Sequence, residues 1–183
     1  MLCRLWEQES YFAGNGGCMR YAAIKTFDIA NGTGVRTSLF VSGCTHRCEG
    51  CFNEIAWDFT YGEEFTDETV QSILDSLRVS YVAGLSLLGG EPMEPMNQRG
   101  LMPLVRRLHT ELPEKTLWVY SGYTYETDLK DPAGRAHCEV TEEFLSYVDV
   151  LVDGEFIESL KDITLQFRGS SNQRILHLSG REA

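Results

Sequence analysis

Three cysteines, Cys44, Cys48 and Cys51, stand within eight residues of one another with the spacing Cys-x3-Cys-x2-Cys. A 4Fe-4S cluster takes one thiolate-like ligand at each iron, so three cysteines leave one iron without a protein ligand. An open metal position is typical of a site that binds a small molecule, whereas a structural metal site is fully ligated. The cysteine loop (residues 44–51) therefore predicts a cluster with one iron open to a ligand.

Two other interpretations of the cysteines are weaker. A structural zinc site would need four ligands, usually as two separated pairs, and here only Cys48 and Cys51 form such a pair. His46 lies two residues from its nearest cysteines, which is too close for the usual zinc geometry. Six cysteines in 183 residues are too sparse for a disulfide framework. The cysteines outside the loop are interpreted as free thiols: Cys3, Cys18 and Cys138.

The composition predicts one globular domain in the cytoplasm. A chain of 183 residues with 43% hydrophobic residues suffices for one core. The formal net charge of -11 argues against nucleic acid as a partner. No apolar run approaches the ~18–20 residues that span a bilayer, and the first residues lack the pattern of a signal peptide. Residues 1–18 include a glycine-rich stretch and predict a flexible extension before a domain at 19–183.

Strands and helices alternate along this domain. Apolar strands are predicted at 36–42, 84–88, 115–120, 148–152 and 175–178, and helices at 66–77, 101–108 and 141–147. This order indicates an α/β fold in which helices cover a mainly parallel sheet.

Polar or glycine-rich loops follow four of the predicted strands. They are the cysteine loop, the Gly-Gly-Glu-Pro loop (residues 89–92), and the segments 121–123 and 153–154. Ligand sites of parallel α/β folds lie at the carboxyl ends of the strands. The four loops should therefore face one cavity.

The cysteine spacing, followed by Gly-Gly-Glu-Pro, resembles the radical S-adenosylmethionine (SAM) enzymes. More narrowly, the chain is similar to the activating proteins of the anaerobic ribonucleoside-triphosphate reductase. The similar stretches lie between about residues 21 and 178, at 28–36, 39–44, 50–53, 150–154 and 168–174. The resemblance implies an incomplete TIM-type (β/α) barrel with parallel strands. The chain departs from many radical SAM enzymes at Gly50, where an aromatic residue commonly precedes the third cysteine.

The resemblance also implies the residues of the site. Cys44, Cys48 and Cys51 would hold the 4Fe-4S cluster, and the methionyl amine and carboxylate of SAM would bind the open iron. The residues expected to contact SAM are Gly50, Cys51, Phe52, Gly89, Gly90, Glu91 and Ser121. Glycines let the backbone approach a ligand closely, and the carboxylate suits a cationic amine. No side chain is assigned as a general acid or base.

The activity implied by the resemblance is the activation of another enzyme. A flavodoxin-type donor would supply an electron, SAM would be cleaved to methionine and a 5'-deoxyadenosyl radical, and that radical would take hydrogen from a glycine of the reductase large subunit. Three alternatives stay open: activation of a different glycyl-radical enzyme, a radical SAM reaction on a small molecule, and an iron–sulfur electron carrier with Cys138 as a fourth ligand.

Two features have no assigned role. His46 is interpreted as an exposed loop histidine with no proton to move. Residues 168–174 could contact SAM or the partner, or could form a polar turn before the last strand.

Overall fold

The computed structural model describes residues 19–180 of the chain. The extension predicted at 1–18, with Cys3 and Cys18, lies outside the described residues. The strands are β1 (Arg20–Asp28), β2 (Val35–Val41), β3 (Glu63–Glu64), β4 (Val82–Gly89), β5 (Thr116–Tyr120), β6 (Val150–Asp153) and β7 (Arg174–His177). The helices are α1 (Asp67–Leu77), α2 (Pro95–Glu111) and α3 (Thr141–Tyr147), with short helical turns at Glu54–Trp57, Tyr125–Lys130 and Glu158–Leu160.

The strands form one sheet in the order β3-β1-β2-β4-β5-β6-β7. The four central strands, β2, β4, β5 and β6, pair in parallel. This confirms the predicted α/β class. The outer strands β1, β3 and β7 are antiparallel to their neighbours, which agrees with a mainly parallel sheet but departs from the parallel strands that the resemblance to a (β/α) barrel implies. A parallel pair needs a crossover, usually helical, whereas β1 reaches β2 directly through a short loop.

Two strands and part of one helix differ from the sequence-based expectation. β1 and β3 have no counterpart among the predicted strands. α2 begins at Pro95, six residues before the apolar pattern does. The apolar pattern does not show this first part of the helix, because its buried residues include the polar Asn97 and Gln98. Proline suits a first helical turn, since its missing N–H has no partner there in any case.

All three helices pack on one face of the sheet and bury the main core there. Side chains alternate between the two faces of a strand. The strand residues on this face include Leu39, Val41, Leu85, Leu87, Leu117, Val119 and Leu151. The helices contribute apolar residues at helical spacing, including Val70, Ile73, Leu74, Leu77, Leu101, Leu104, Val105, Leu108 and Phe144.

The opposite face of the sheet holds a smaller cluster and a buried cation. Trp118, Val150 and Val152 form the cluster. Arg36, at the start of β2, lies with its guanidinium over the ring of Trp118, 5.6 Å from the centroid. The loop at 29–34 covers this end of the sheet, where the carbonyl of Asn31 accepts a hydrogen bond from Ser86 Oγ. The 28–36 stretch therefore closes the amino ends of the parallel strands, opposite the cysteine loop.

None of the helices between residues 19 and 180 combines the length and the apolar character that a membrane crossing requires.

Candidate functional site

The loops at the carboxyl ends of the parallel strands are joined through their backbones. The N–H of Glu91 donates to the carbonyl of Gly43, 2.8 Å away, and links the Gly-Gly-Glu-Pro loop to the end of β2. The N–H of Ser121 donates to the carbonyl of Val152 at 2.8 Å, and links the segment after β5 to β6. The structure thus brings the predicted loops together at one end of the sheet.

The three loop cysteines are free, partly exposed thiols. Burial, reinforced by the nearby Glu91 carboxylate, raises the pKa of Cys44 to about 12. Burial also raises the pKa of Cys48. Iron is bound by thiolates, so a cluster held by these cysteines would release protons as it assembled.

The donor set suits a cluster, because three free thiols of one short loop can each bind a different iron. Among residues 19–180, no group of three or more His, Cys, Asp or Glu side chains closes around one metal ion. Cys44 also opens on a cavity of about 690 Å³ that Arg47, Trp57 and Phe59 help to line.

Glu91 is the residue on which the loops converge. Its carboxylate accepts hydrogen bonds from the N–H of Met93 at 2.8 Å, the N–H of Gly122 at 2.7 Å and His46 Nε2 at 3.1 Å. The residue is 1% exposed. An ionised carboxylate offers about four acceptor sites, so three internal partners leave roughly one for a ligand.

His46 is buried, and its interpretation as an exposed loop histidine was wrong. Its side chain is 2% exposed. The ring lies 4.3 Å from the ring of Tyr123, measured between centroids, and it packs so closely on Gly122 that a Cβ there would lie 2.7 Å from Nε2. The hydrogen bond to Glu91 draws the side chain inward. Nothing local in the sequence of the loop encodes these partners.

Glu94 and Asn97 are site residues that the sequence analysis missed. Glu94 Oε1 accepts from both the N–H and the hydroxyl of Thr45, at 2.8 and 2.6 Å. Asn97 Nδ2 donates to the carbonyls of Ser42 at 3.0 Å and Glu91 at 2.8 Å. Both lie at the start of α2, just after the Gly-Gly-Glu-Pro loop. Polar residues on the core-facing side of a helix are the signal that could have identified them.

Gly89 and Gly90 are required by contacts within the chain itself. Gly89 has φ +110°, and a Cβ there would lie 2.8 Å from the Phe40 Cα and the Val41 nitrogen. A Cβ on Gly90 would lie 2.6 Å from the carbonyl oxygen of Gly43. Both glycines let the Gly-Gly-Glu-Pro loop lie against the end of β2.

The remaining predicted SAM contacts differ in their exposure. Phe52 is 87% exposed, so it does not fill the core. Gly50 has φ +71° and lies against the Glu158 side chain. Cys51 Sγ accepts from the N–H of Asn53 at 3.4 Å. Ser121 is buried, and its hydroxyl accepts from the N–H of Tyr123 at 3.0 Å.

Residues 168–174 form the polar turn that was one of their predicted interpretations. Gln173 Oε1 accepts from the N–H groups of Gly169 and Ser170, at 2.8 and 3.2 Å, while its Nε2 donates to the carbonyl of Gly154 at 2.9 Å. These bonds fasten the loop between β6 and β7 beside the cysteine loop. Within that loop, Glu155 Oε1 lies 3.8 Å from Cys48 Sγ.

We expect the Gly89→Ala substitution to destabilise the fold by about 2–3 kcal/mol, because the side chain would meet backbone atoms in a left-handed conformation. Thermal unfolding of the metal-free protein measures this. Gly180→Ala is the matched control, since a Cβ at Gly180 meets nothing within 4 Å and should change stability by less than about 0.5 kcal/mol. Equal unfolding temperatures for the two variants would contradict the close packing described.

Comparison with known proteins identifies the family. Residues 30–176 match the family model described as a 4Fe-4S single cluster domain. Proteins called anaerobic ribonucleoside-triphosphate reductase-activating protein are 42% identical in Haemophilus influenzae, over 87% of this chain and 97% of that protein, and 40% identical in Escherichia coli, over 87% and 99%. The protein of that name in Enterobacteria phage T4 is 40% identical over 86% of this chain and 93% of its own length. The chain therefore belongs to the family of anaerobic ribonucleoside-triphosphate reductase-activating proteins.

Proposed function

We propose that this chain cleaves SAM reductively at a 4Fe-4S cluster held by Cys44, Cys48 and Cys51, and thereby generates a glycyl radical on the large subunit of the anaerobic ribonucleoside-triphosphate reductase. The names of its relatives support the reductase as partner. The observation that carries the proposal is the Glu91 carboxylate, which joins the cysteine loop to the loops that follow β4 and β5. A carrier of electrons alone has no use for such a junction.

The chain's own residues bind and orient in this proposal. When bound, the cluster and SAM supply the one-electron chemistry that breaks the sulfonium carbon–sulfur bond, with a flavodoxin-type protein as electron donor. Glu91 has roughly one acceptor site left for the methionyl amine of SAM. The other residues proposed to contact SAM are Gly50, Cys51, Phe52, Gly89, Gly90 and Ser121.

The domain at 19–183 is proposed to be an incomplete (β/α) barrel. The open sheet, with all three helices on one face, supports this. Its other face carries buried polar atoms that lack a hydrogen-bond partner among residues 19–180, including Trp118 Nε1 and Tyr120 OH. Polar atoms of this kind suit a concave face that receives a polar ligand.

The position of Cys138 does not support the electron-carrier alternative. Its sulfur lies 3.6 Å from Gln98 Oε1 and 3.4 Å from Thr141 Oγ1, between α2 and α3. Both of these partners are buried in the helical layer. A fourth ligand from this residue would have to leave that layer.

The proposed activity is tested by reconstituting the protein anaerobically with iron and sulfide, then adding dithionite, SAM and the reductase large subunit. We expect 5'-deoxyadenosine together with the doublet signal of a glycyl radical in the electron paramagnetic resonance (EPR) spectrum. Cleavage of SAM without a radical on the reductase would point to another glycyl-radical enzyme or to a small-molecule substrate. A cluster that forms but never cleaves SAM would contradict the proposal.

A further inference from the structure

His46 touches each of the two loops that meet the cysteine loop. Its Nε2 bonds to Glu91 after β4, and its ring packs on Gly122 and Tyr123 after β5. Between the first two cysteines, Thr45 is held separately by Glu94. The carboxylates of Glu91 and Glu94 thus accept hydrogen bonds from two consecutive residues of the cysteine loop.

The hydrogen bonding of His46 is one-sided. A carboxylate only accepts, so Nε2 must donate to Glu91, which leaves Nδ1 as the acceptor of the neutral ring. Nδ1 is buried and has no hydrogen-bond partner among residues 19–180. Leaving a buried polar atom without a partner costs free energy, so stability alone does not favour histidine here. A role in the site accounts for it better.

We propose that His46 is a positioning residue that couples the SAM-binding carboxylate of Glu91 to the cysteine loop. The proposal rests on the function proposed above. By occupying one acceptor site of Glu91 Oε2, the imidazole fixes the rotation of the carboxylate and directs the remaining site. SAM therefore meets a preorganised carboxylate, at a fixed place relative to Cys44 and Cys48, and less ordering accompanies binding.

The first test compares His46→Ala with His46→Gln and with His109→Ala. His109 is an exposed histidine near the end of α2. Its ring lies 4.8 Å from that of Tyr147, measured between centroids, and Tyr147 belongs to α3 and not to the loops of the site. We expect His46→Ala to keep its iron and sulfide content but to bind SAM at least ~10-fold more weakly, equivalent to one well-placed hydrogen bond. Glutamine can donate to Glu91 through its amide and should recover most of the affinity.

The readouts separate positioning from folding. Iron and sulfide content reports the cluster, and the change of the reduced-cluster EPR spectrum on titration with SAM reports binding. A positioning role predicts that His46→Ala raises the SAM concentration needed for the spectral change, whereas His109→Ala does not. Unchanged SAM affinity in His46→Ala would overturn the proposal. Loss of the cluster in both the Ala and the Gln variant would overturn it too, because it would assign His46 to loop folding.

A double-mutant cycle adds an independent test. If His46 acts through Glu91, the SAM affinity of the pair His46→Ala and Glu91→Gln should be no lower than that of Glu91→Gln alone. If the losses of SAM affinity in the two single variants multiply in the double variant, His46 does not act through Glu91 and the proposal is overturned. Failure of the wild-type protein to bind or cleave SAM would instead refute the proposed function, so the two failures are distinguishable.

Discussion

Replacing Cys48 with alanine should remove the iron–sulfur cluster and reduce SAM-dependent formation of 5'-deoxyadenosine to the background level. The loop supplies three thiols, and in the proposed ligand set each would bind a different iron. Among residues 19–180, the fourth free thiol is the partly exposed Cys138, whose sulfur contacts Gln98 and Thr141 between α2 and α3 and is therefore not expected to substitute. Iron and sulfide analysis, the absorption spectrum and product assay after anaerobic reconstitution measure the effect.

Cys138→Ala is the matched control for this experiment. It removes a thiol of the same partly exposed class but leaves the cysteine loop untouched. We expect normal cluster content and normal SAM cleavage, with at most a modest loss of stability from the contact with Gln98. Failure of the Cys138→Ala protein to form a cluster would identify Cys138 as a fourth protein ligand and would support the electron-carrier alternative. A fully active Cys48→Ala protein would refute the proposed ligand set.

The sequence predicted the parts of the site that depend on local spacing. The cysteine spacing and the loops that follow β2, β4 and β5 could be located because each motif is contiguous, and the apolar strands marked the sheet. The contacts of His46 and Glu94 could not be predicted, because their partners lie 45 and 49 residues away in the chain. Long-range polar contacts leave no periodic trace in a single sequence.

The same limit applies to the edges of the sheet. β1 is partly exposed along its length and lacks a clean alternation of apolar and polar residues. β3 has only two residues, both glutamates, so its strand character comes from pairing with Arg20 and Tyr21. The turn at 168–174 is held by long-range hydrogen bonds of Gln173, which the sequence alone does not reveal, while its contact with SAM or with the partner stays a prediction. A buried central strand can be identified from its apolar residues, whereas an edge strand depends on pairing with a neighbouring strand that the sequence does not reveal.

Substitution of Arg36 is expected to have a second large effect, which is on the stability of the fold. Its side chain is fully buried, yet its hydrogen bonds go to neutral acceptors: Ser86 Oγ at 2.8 Å, Thr116 Oγ1 at 3.0 Å, and the carbonyls of Leu85 and Thr116 at 2.8 Å each. Burial lowers the pKa of Arg36 to about 10, so the guanidinium still carries its charge at neutral pH. Those acceptors therefore offset the desolvation of a full positive charge.

We expect Arg36→Met to lower the free energy of unfolding by about 3 kcal/mol, although it preserves much of the side-chain volume. Methionine cannot donate, so several buried acceptors lose their partner at about 1–3 kcal/mol each, and relief of the buried charge offsets only part of this. For a chain of this size the melting temperature should fall by about 6–12 °C.

Arg78→Met is the control, because Arg78 pairs with Glu111 in a half-exposed salt bridge worth at most about 1 kcal/mol. Below its melting temperature, the Arg36→Met protein should still assemble the cluster, since Arg36 lies at the end of the sheet opposite Cys44. A variant that melts like the wild type would mean that the acceptors find other donors. A variant that is stable but cannot hold the cluster would mean that the two ends of the sheet are coupled through β2.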